Sequence, residues 1–198
     1  MKRFWIVVVL AFAAGAPAYA QGFVMNSAET IDKGNFKIAA FPIMAFGKNG
    51  ADNELGFGAR GGYGFTPRFD VEGLVSIFDG NKLFGADAEF WLVKGGGIDA
   101  SLTAGAHKTY GDGGFDLTGF DATATGSGHM GSKFEPYVGL KLSFESVSHG
   151  GGDLTRFHVV PGFEYSLSKN LDLVAEIGLG LNDDSPTYGS VGLALYLR

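Results

Sequence analysis

The chain has 198 residues, among them 33 glycines and 18 phenylalanines, with no cysteine and a formal charge of −6. An acidic balance argues against nucleic acid as a partner, because phosphate binding needs a basic face. Without cysteine there is no disulfide framework and no thiol for N-terminal lipid attachment, so stability must come from a core or from lipid.

The first twenty residues read as an export leader. Lys2 and Arg3 precede an apolar run from Phe4 to Ala14, and Ala18-Tyr19-Ala20 has the small-x-small form of a signal-peptidase site. The run is shorter than the about 20 residues a spanning helix requires. Cleavage is expected near Ala20, leaving residues 21–33 as an N-terminal segment and 34–198 as one folded domain. Losing Lys2 and Arg3 leaves 13 basic against 21 acidic residues, a net charge of −8.

From Asn35 onward the dominant period is two. In residues 54–65, Leu55, Phe57, Ala59, Tyr63 and Phe65 alternate with Glu54, Gly56, Gly58, Arg60, Gly62 and Gly64. Successive strand side chains point to opposite faces, so each such stretch is a strand with one apolar side and one polar or tiny-residue side. Ten segments follow this rule: 34–46, 54–66, 69–78, 83–94, 97–107, 114–125, 134–147, 154–167, 170–181 and 188–198. Within 115–125 the alternation slips at Gly119-Phe120, which predicts a bulge. Ten residues suit a tilted strand crossing a hydrocarbon layer, and with no long apolar helix only a closed barrel satisfies every backbone group there. The fold predicted is an all-β, antiparallel up-and-down transmembrane barrel of about ten strands, with eight or twelve as alternatives.

Tight turns are expected at Thr66-Pro67-Arg68, Lys94-Gly95-Gly96 and Ser168-Lys169-Asn170. Gly- and Asp-rich loops alternate with them, and the connection 126–133 is longer than its counterparts. Aromatic girdles are expected from Phe65, Phe69, Phe90, Tyr165 and Tyr196 on one rim, and from Phe46, Phe78, Phe84 and Phe144 on the other. A soluble barrel would show the same period with its faces reversed. The two differ in where the charged face lies.

The last strand, with Ser190, Gly192, Leu195 and Leu197, resembles the C-terminal assembly signal of bacterial outer-membrane barrels, polar-x-Gly-x-x-apolar-x-apolar. Many of those chains end on Phe, where this one ends Leu197-Arg198. Residues Tyr63 to Val71 and Tyr165 to Leu173 resemble the strand–turn–strand units of porin-like proteins. The resemblance implies a Gram-negative outer-membrane location, with lipid and the barrel assembly machinery as partners.

Sites for chemistry are sparse. Gly56, Gly58 and Gly61 match G-x-G-x-x-G, but inside an alternating strand they read as glycines sparing room in a narrow barrel. The histidines 107, 129, 149 and 158 lack metal-ligand spacing, leaving only a site assembled across strands. His158, Arg156 and Glu164 share a face without a nucleophile, so no enzyme and no cofactor are expected. Acidic turns at 79–81, 112 and 182–184 lack calcium-loop spacing and read as turn chemistry.

The informative feature is the charged face. Ten acids (Asp70, Glu72, Asp87, Glu89, Asp99, Asp121, Glu145, Glu164, Asp172 and Glu176) share it with four bases, Lys37, Arg60, Lys141 and Arg156. If that face lines a lumen, the surplus acids require water, cations or other donors. Two readings follow: a salt-bridged, filled structural barrel, or a narrow porin-like path favouring small cations or polar solutes. The residues picked out as lumen-lining are Arg60, Glu72, Glu89, Lys141, Arg156 and Glu176. An enzyme or a loop-mediated interaction protein is the alternative class.

Overall fold

The structure is a computed structural model that describes residues 23–47, 52–95, 97–114, 116–148 and 152–198. The leader expected over 1–20, His149 and parts of the loops lie outside the described residues.

Among the described residues ten antiparallel strands close into a barrel in meander order. They are β1 (Phe36–Phe46), β2 (Glu54–Thr66), β3 (Phe69–Phe78), β4 (Asn81–Val93), β5 (Asp99–Gly111), β6 (Asp116–Ser127), β7 (Phe134–Val147), β8 (Asp153–Ser166), β9 (Leu171–Gly180) and β10 (Thr187–Leu197). β1 pairs with β10 from Phe36↔Leu197 to Phe46↔Thr187, which closes the ring. That ladder is interrupted at Pro42, and the β8–β9 ladder at Pro161, because proline has no N–H to donate.

The orientation of the faces decides between membrane and water. Arg60, Glu72, Glu89, Lys141, Arg156 and Glu176 are all buried inside, while Phe57, Ile77, Phe120, Val138, Phe144 and Val191 stand outside, each about half exposed. A soluble barrel buries its apolar face. This one carries its apolar face outward, as a barrel solvated by lipid must.

Three expectations need correction. The predicted bulge at Gly119-Phe120 is absent: β6 keeps unbroken register on both sides, from Tyr110↔Asp116 to Asp99↔Ser127 and from Leu117↔Val147 to Ser127↔Tyr137. What broke was the hydropathy pattern, since Leu117 faces inward into a small apolar cluster with Val147 and Leu154. Register shifts occur instead at Gly64/Thr66 and Trp91/Val93, near the rim. Phe78 and Tyr196 are not girdle residues. Phe78 points inward over Gly56, and the Tyr196 hydroxyl donates to Glu164 at 2.9 Å.

The long 126–133 connection also acquires a physical account. Met130 N–H donates to the Phe134 carbonyl at 2.8 Å and Gly128 N–H to Pro136 at 3.1 Å, so the hairpin continues beyond β6 and turns only at 131–133. Gly131, with φ 78°, supplies the left-handed residue of that turn.

Inward glycines make room for large rings. A Cβ at Gly58 would lie 2.3 Å from the Phe41 ring, and one at Gly178 would lie 1.9 Å from the ring of Tyr188, whose hydroxyl is tied to Glu176. Gly178→Val is therefore expected to prevent closure or lower the thermal midpoint, since forced overpacking typically costs about 1–3 kcal/mol. Gly73→Ala, facing outward with only carbonyl oxygens at 3.9 Å, is expected to leave it unchanged. Heat-modifiable gel migration distinguishes the two.

Candidate functional site

The barrel interior is occupied by the chain's own N-terminal segment. From Phe23 to Ile31 all residues but Glu29 are buried, and the segment runs from mid-barrel to the end where β1 begins and β10 finishes. It leaves along β2, where Gly34 N–H donates to the Gly64 carbonyl at 2.8 Å and Gly64 N–H to Asn35 at 3.1 Å. The crossing requires glycine: a Cβ at Gly64 would sit 2.3 Å from the carbonyl oxygens of Ile31 and Asp32.

Inward carboxylates hold the segment by its backbone. Glu176 accepts Val24 N–H at 3.2 Å and Met25 N–H at 2.6 Å, and also the hydroxyls of Tyr137 at 2.8 Å and Tyr188 at 2.9 Å. Met25 adopts φ 45°, an unusual value outside glycine, where the segment bends around that carboxylate. Asp70 accepts Ile31 N–H at 2.6 Å, and Ser127 Oγ accepts Ala28 N–H at 3.2 Å. Asn26 donates to Glu72 at 2.7 Å and accepts from Lys37.

Arg60 ties wall and segment together. Its Nε donates to Glu72 at 2.9 Å and its Nη2 to both Asp87 oxygens at 2.8 and 2.9 Å. Its Nη1 donates to the carbonyls of Phe23 and Val24 at 2.9 and 3.0 Å. The planar fork uses every edge. Apolar packing completes the fit, with the Phe23 ring meeting Phe41 and Tyr188 edge-on at centroid distances of 5.4 and 5.6 Å.

Farther from the termini a second network is contained in the wall. His107 places Nδ1 2.6 Å from Asp121 and Nε2 3.2 Å from Glu145, and only an imidazolium offers donors to both. Arg156 reaches Glu145 at 2.7 Å, Lys141 reaches Asp121 at 3.3 Å, and the Ser143 hydroxyl donates to Asp121.

The six lumen residues picked out from sequence all face inside, but in two groups. Arg60, Glu72 and Glu176 contact the segment directly, whereas Lys141 and Arg156 belong to the second network. Glu89 sits opposite Asp70 in the β3–β4 register. Parity in β5 put His107 on the Asp99 face, where it lies; sequence reasoning missed the segment itself and the inward placement of Glu135. Their signals were the apolar residues Phe23, Val24, Met25 and Ile31 in a stretch with no strand alternation, and parity along β7. Of the assembly-signal residues, Gly192 is buried against Phe41, Leu195 and Leu197 face outward, and the Ser190 hydroxyl donates to the Pro42 carbonyl at 2.8 Å. The acidic 182–184 turn is tied to β8: Asn182 Oδ1 accepts Phe157 N–H at 3.2 Å and Asp184 accepts Thr155 N–H at 3.3 Å.

Glu176→Gln keeps the side-chain volume and removes the charge. Hydrogen bonds to a charged group contribute about 1.5–3 kcal/mol each. The Val24 and Met25 amides should therefore exchange with solvent at least tenfold faster in this variant, while the Ile31 amide, held by Asp70, changes less. Uniform exchange rates across the segment, read by hydrogen–deuterium exchange, would sink the anchoring role of Glu176.

No protein-family model matches the sequence, and no curated protein matches it. Among solved structures, a COG4313 outer-membrane channel from Pseudomonas putida F1 aligns at 9% identity and TM-score 0.60, covering 89% of this chain and 100% of that one. The KdgM porin aligns at 10% identity and TM-score 0.50, covering 80% and 98%. The outer-membrane protein OprG from Pseudomonas aeruginosa aligns at 14% identity and TM-score 0.42, covering 87% and 100%. At these identities the likeness to the first two is one of fold. The fold is that of the small outer-membrane β-barrels.

Proposed function

We propose that the protein is a narrow, porin-like channel of the Gram-negative outer membrane, held shut by its own N-terminal segment. The observation that carries this reading is the hold of Glu176 on the Val24 and Met25 amides in mid-lumen. A segment fixed mainly by hydrogen bonds to its backbone can leave without breaking the barrel ladder, and the carboxylates it uncovers would line an acidic path. Rings of Asp and Glu attract cations, so small cations, and polar solutes of similar size, are the expected cargo. The solved barrels this fold resembles are described as a channel and a porin, which agrees with transport rather than catalysis.

Short turns and both termini face the periplasm in barrels of this type, so the segment enters from the periplasmic side. Export by the leader at 1–20, and insertion by the assembly machinery reading Ser190, Gly192, Leu195 and Leu197, complete the proposed route.

The test exploits the absence of native cysteine. Ala28 N–H lies 3.2 Å from Ser127 Oγ, so cysteines at both positions should crosslink the segment to β6. In planar bilayers the oxidised A28C/S127C protein is expected to be silent, with discrete cation-selective steps after reduction. Equal conductance in both states would overturn the stopper. Silence in both, with insertion established independently, would favour the filled structural barrel.

Selectivity is a separate outcome. Replacing Glu72, Glu89 and Glu176 together by Gln should raise opening frequency, because anchors are lost, and reduce cation preference. A reversal potential unchanged in a salt gradient would remove these carboxylates from the conducting path.

A further inference from the structure

Where the segment enters the barrel, it places one carboxylate among wall residues that the lumen networks do not use. Glu29 Oε1 lies 3.6 Å from His129 Nε2, and the same nitrogen lies 3.7 Å from Glu135 Oε2. One atom from each residue falls within 4.8 Å of the others. These separations exceed a hydrogen bond, yet they approach the ~3.4 Å between neighbouring ligands of a tetrahedral ion bound at about 2.0–2.1 Å.

The surroundings are those of a ligand set. Glu135 Oε1 is taken by the Ser127 hydroxyl at 2.6 Å, which fixes the carboxylate and leaves Oε2 facing His129. Asp99 Oδ2 stands 3.8 Å from His129 Nδ1, on the side of the ring away from the cluster, and its Oδ1 is held by Trp91 Nε1 and Gly95 N–H. A carboxylate behind the distal nitrogen is the arrangement that orients a metal-binding imidazole. The cluster borders a hollow of about 210 Å³ at the barrel mouth, from which an ion and a water ligand can arrive.

We propose that Glu29, His129 and Glu135 bind a divalent transition-metal ion of the zinc class, with Asp99 orienting His129, and that the ion clasps the N-terminal segment to the β6–β7 hairpin. Imidazole with two carboxylates suits zinc, whereas calcium and magnesium prefer all-oxygen shells. The site gives the extended 126–133 hairpin a role, since only that extension carries His129 over the barrel mouth. Metal binding stands on these residues alone; its consequence, a locked stopper, rests on the channel reading above.

Equilibrium dialysis of the full protein, folded in detergent micelles, against zinc tests the site without reference to conductance. One zinc per barrel is expected, undisplaced by a hundredfold excess of calcium or magnesium. Affinity should fall at least tenfold in His129→Ala and in Glu29→Gln, and stay unchanged in Glu54→Gln at the opposite end. Glu29 lies outside the sheet, so its variant keeps the test sound if His129→Ala fails to fold. Absent binding, or binding indifferent to Glu29→Gln, would overturn the site. Zinc should also slow amide exchange across residues 28–31 in the native chain and not in Glu29→Gln. Binding without that slowing would overturn the clasp, and a silent bilayer would leave the binding result untouched.

Discussion

A carboxylate enclosed by a closed sheet has to find donors, and this barrel encloses more carboxylates than cations. The wall offers Lys37, Arg60, Lys141 and Arg156 to a face bearing eleven acids, Glu135 among them. A buried charge left unpaired is costly, and breaking a buried pair typically costs about 3–5 kcal/mol. Part of the surplus is met by backbone amides and an asparagine side chain belonging to the N-terminal segment. Glu176, Asp70 and Glu72 each accept from it. The segment's place in the lumen follows from that shortage, because an extended chain carries an unpaired N–H at almost every residue.

The two halves of the interior solve the same problem differently. Away from the termini, Asp121 and Glu145 are satisfied by His107, Lys141, Ser143 and Arg156, all on strands β5 to β8. Nearer the termini, satisfaction depends on residues 24–31, which the sheet ladder does not include. The network away from the termini is therefore held within the wall, whereas the other half depends on a segment outside the sheet. Arg60 stands at the boundary, donating to Glu72 and Asp87 on one side and to Phe23 and Val24 on the other.

The barrel was legible from sequence because its determinants are local and periodic. Parity along each strand placed Arg60, Glu72, Glu89, Lys141, Arg156 and Glu176 on one face, and the structure puts that face inside. Parity failed where hydropathy and geometry part company. Leu117 faces inward into a dry patch, which mimicked a slip in β6, and Phe78 faces inward because Gly56 leaves space for its ring. The segment escaped because its contacts are non-periodic and distant in sequence. Met25 meets Glu176 across 151 positions, and no pattern in residues 21–33 announces such a partner. The cluster of Glu29, His129 and Glu135 escaped for the same reason: its spacing exists only once the segment is seated.

Uncovering the lumen would change its electrostatics as well as its width. With the segment in place, Glu176 faces four N–H and O–H donors; without it, only Tyr137 and Tyr188 remain, and the rest of its hydrogen bonding must come from water. Asp70 and Glu72 lose donors in the same step. Carboxylates stripped of fixed donors and exposed to a narrow column of water hold mobile cations instead, because low-dielectric walls concentrate their field. In the channel proposed above, the residues that hold the segment are thus the ones that would set selectivity once it left. A path reaching the far side must still pass the Asp121–His107–Glu145–Arg156 network, whose bonds lie within the wall and do not depend on the segment.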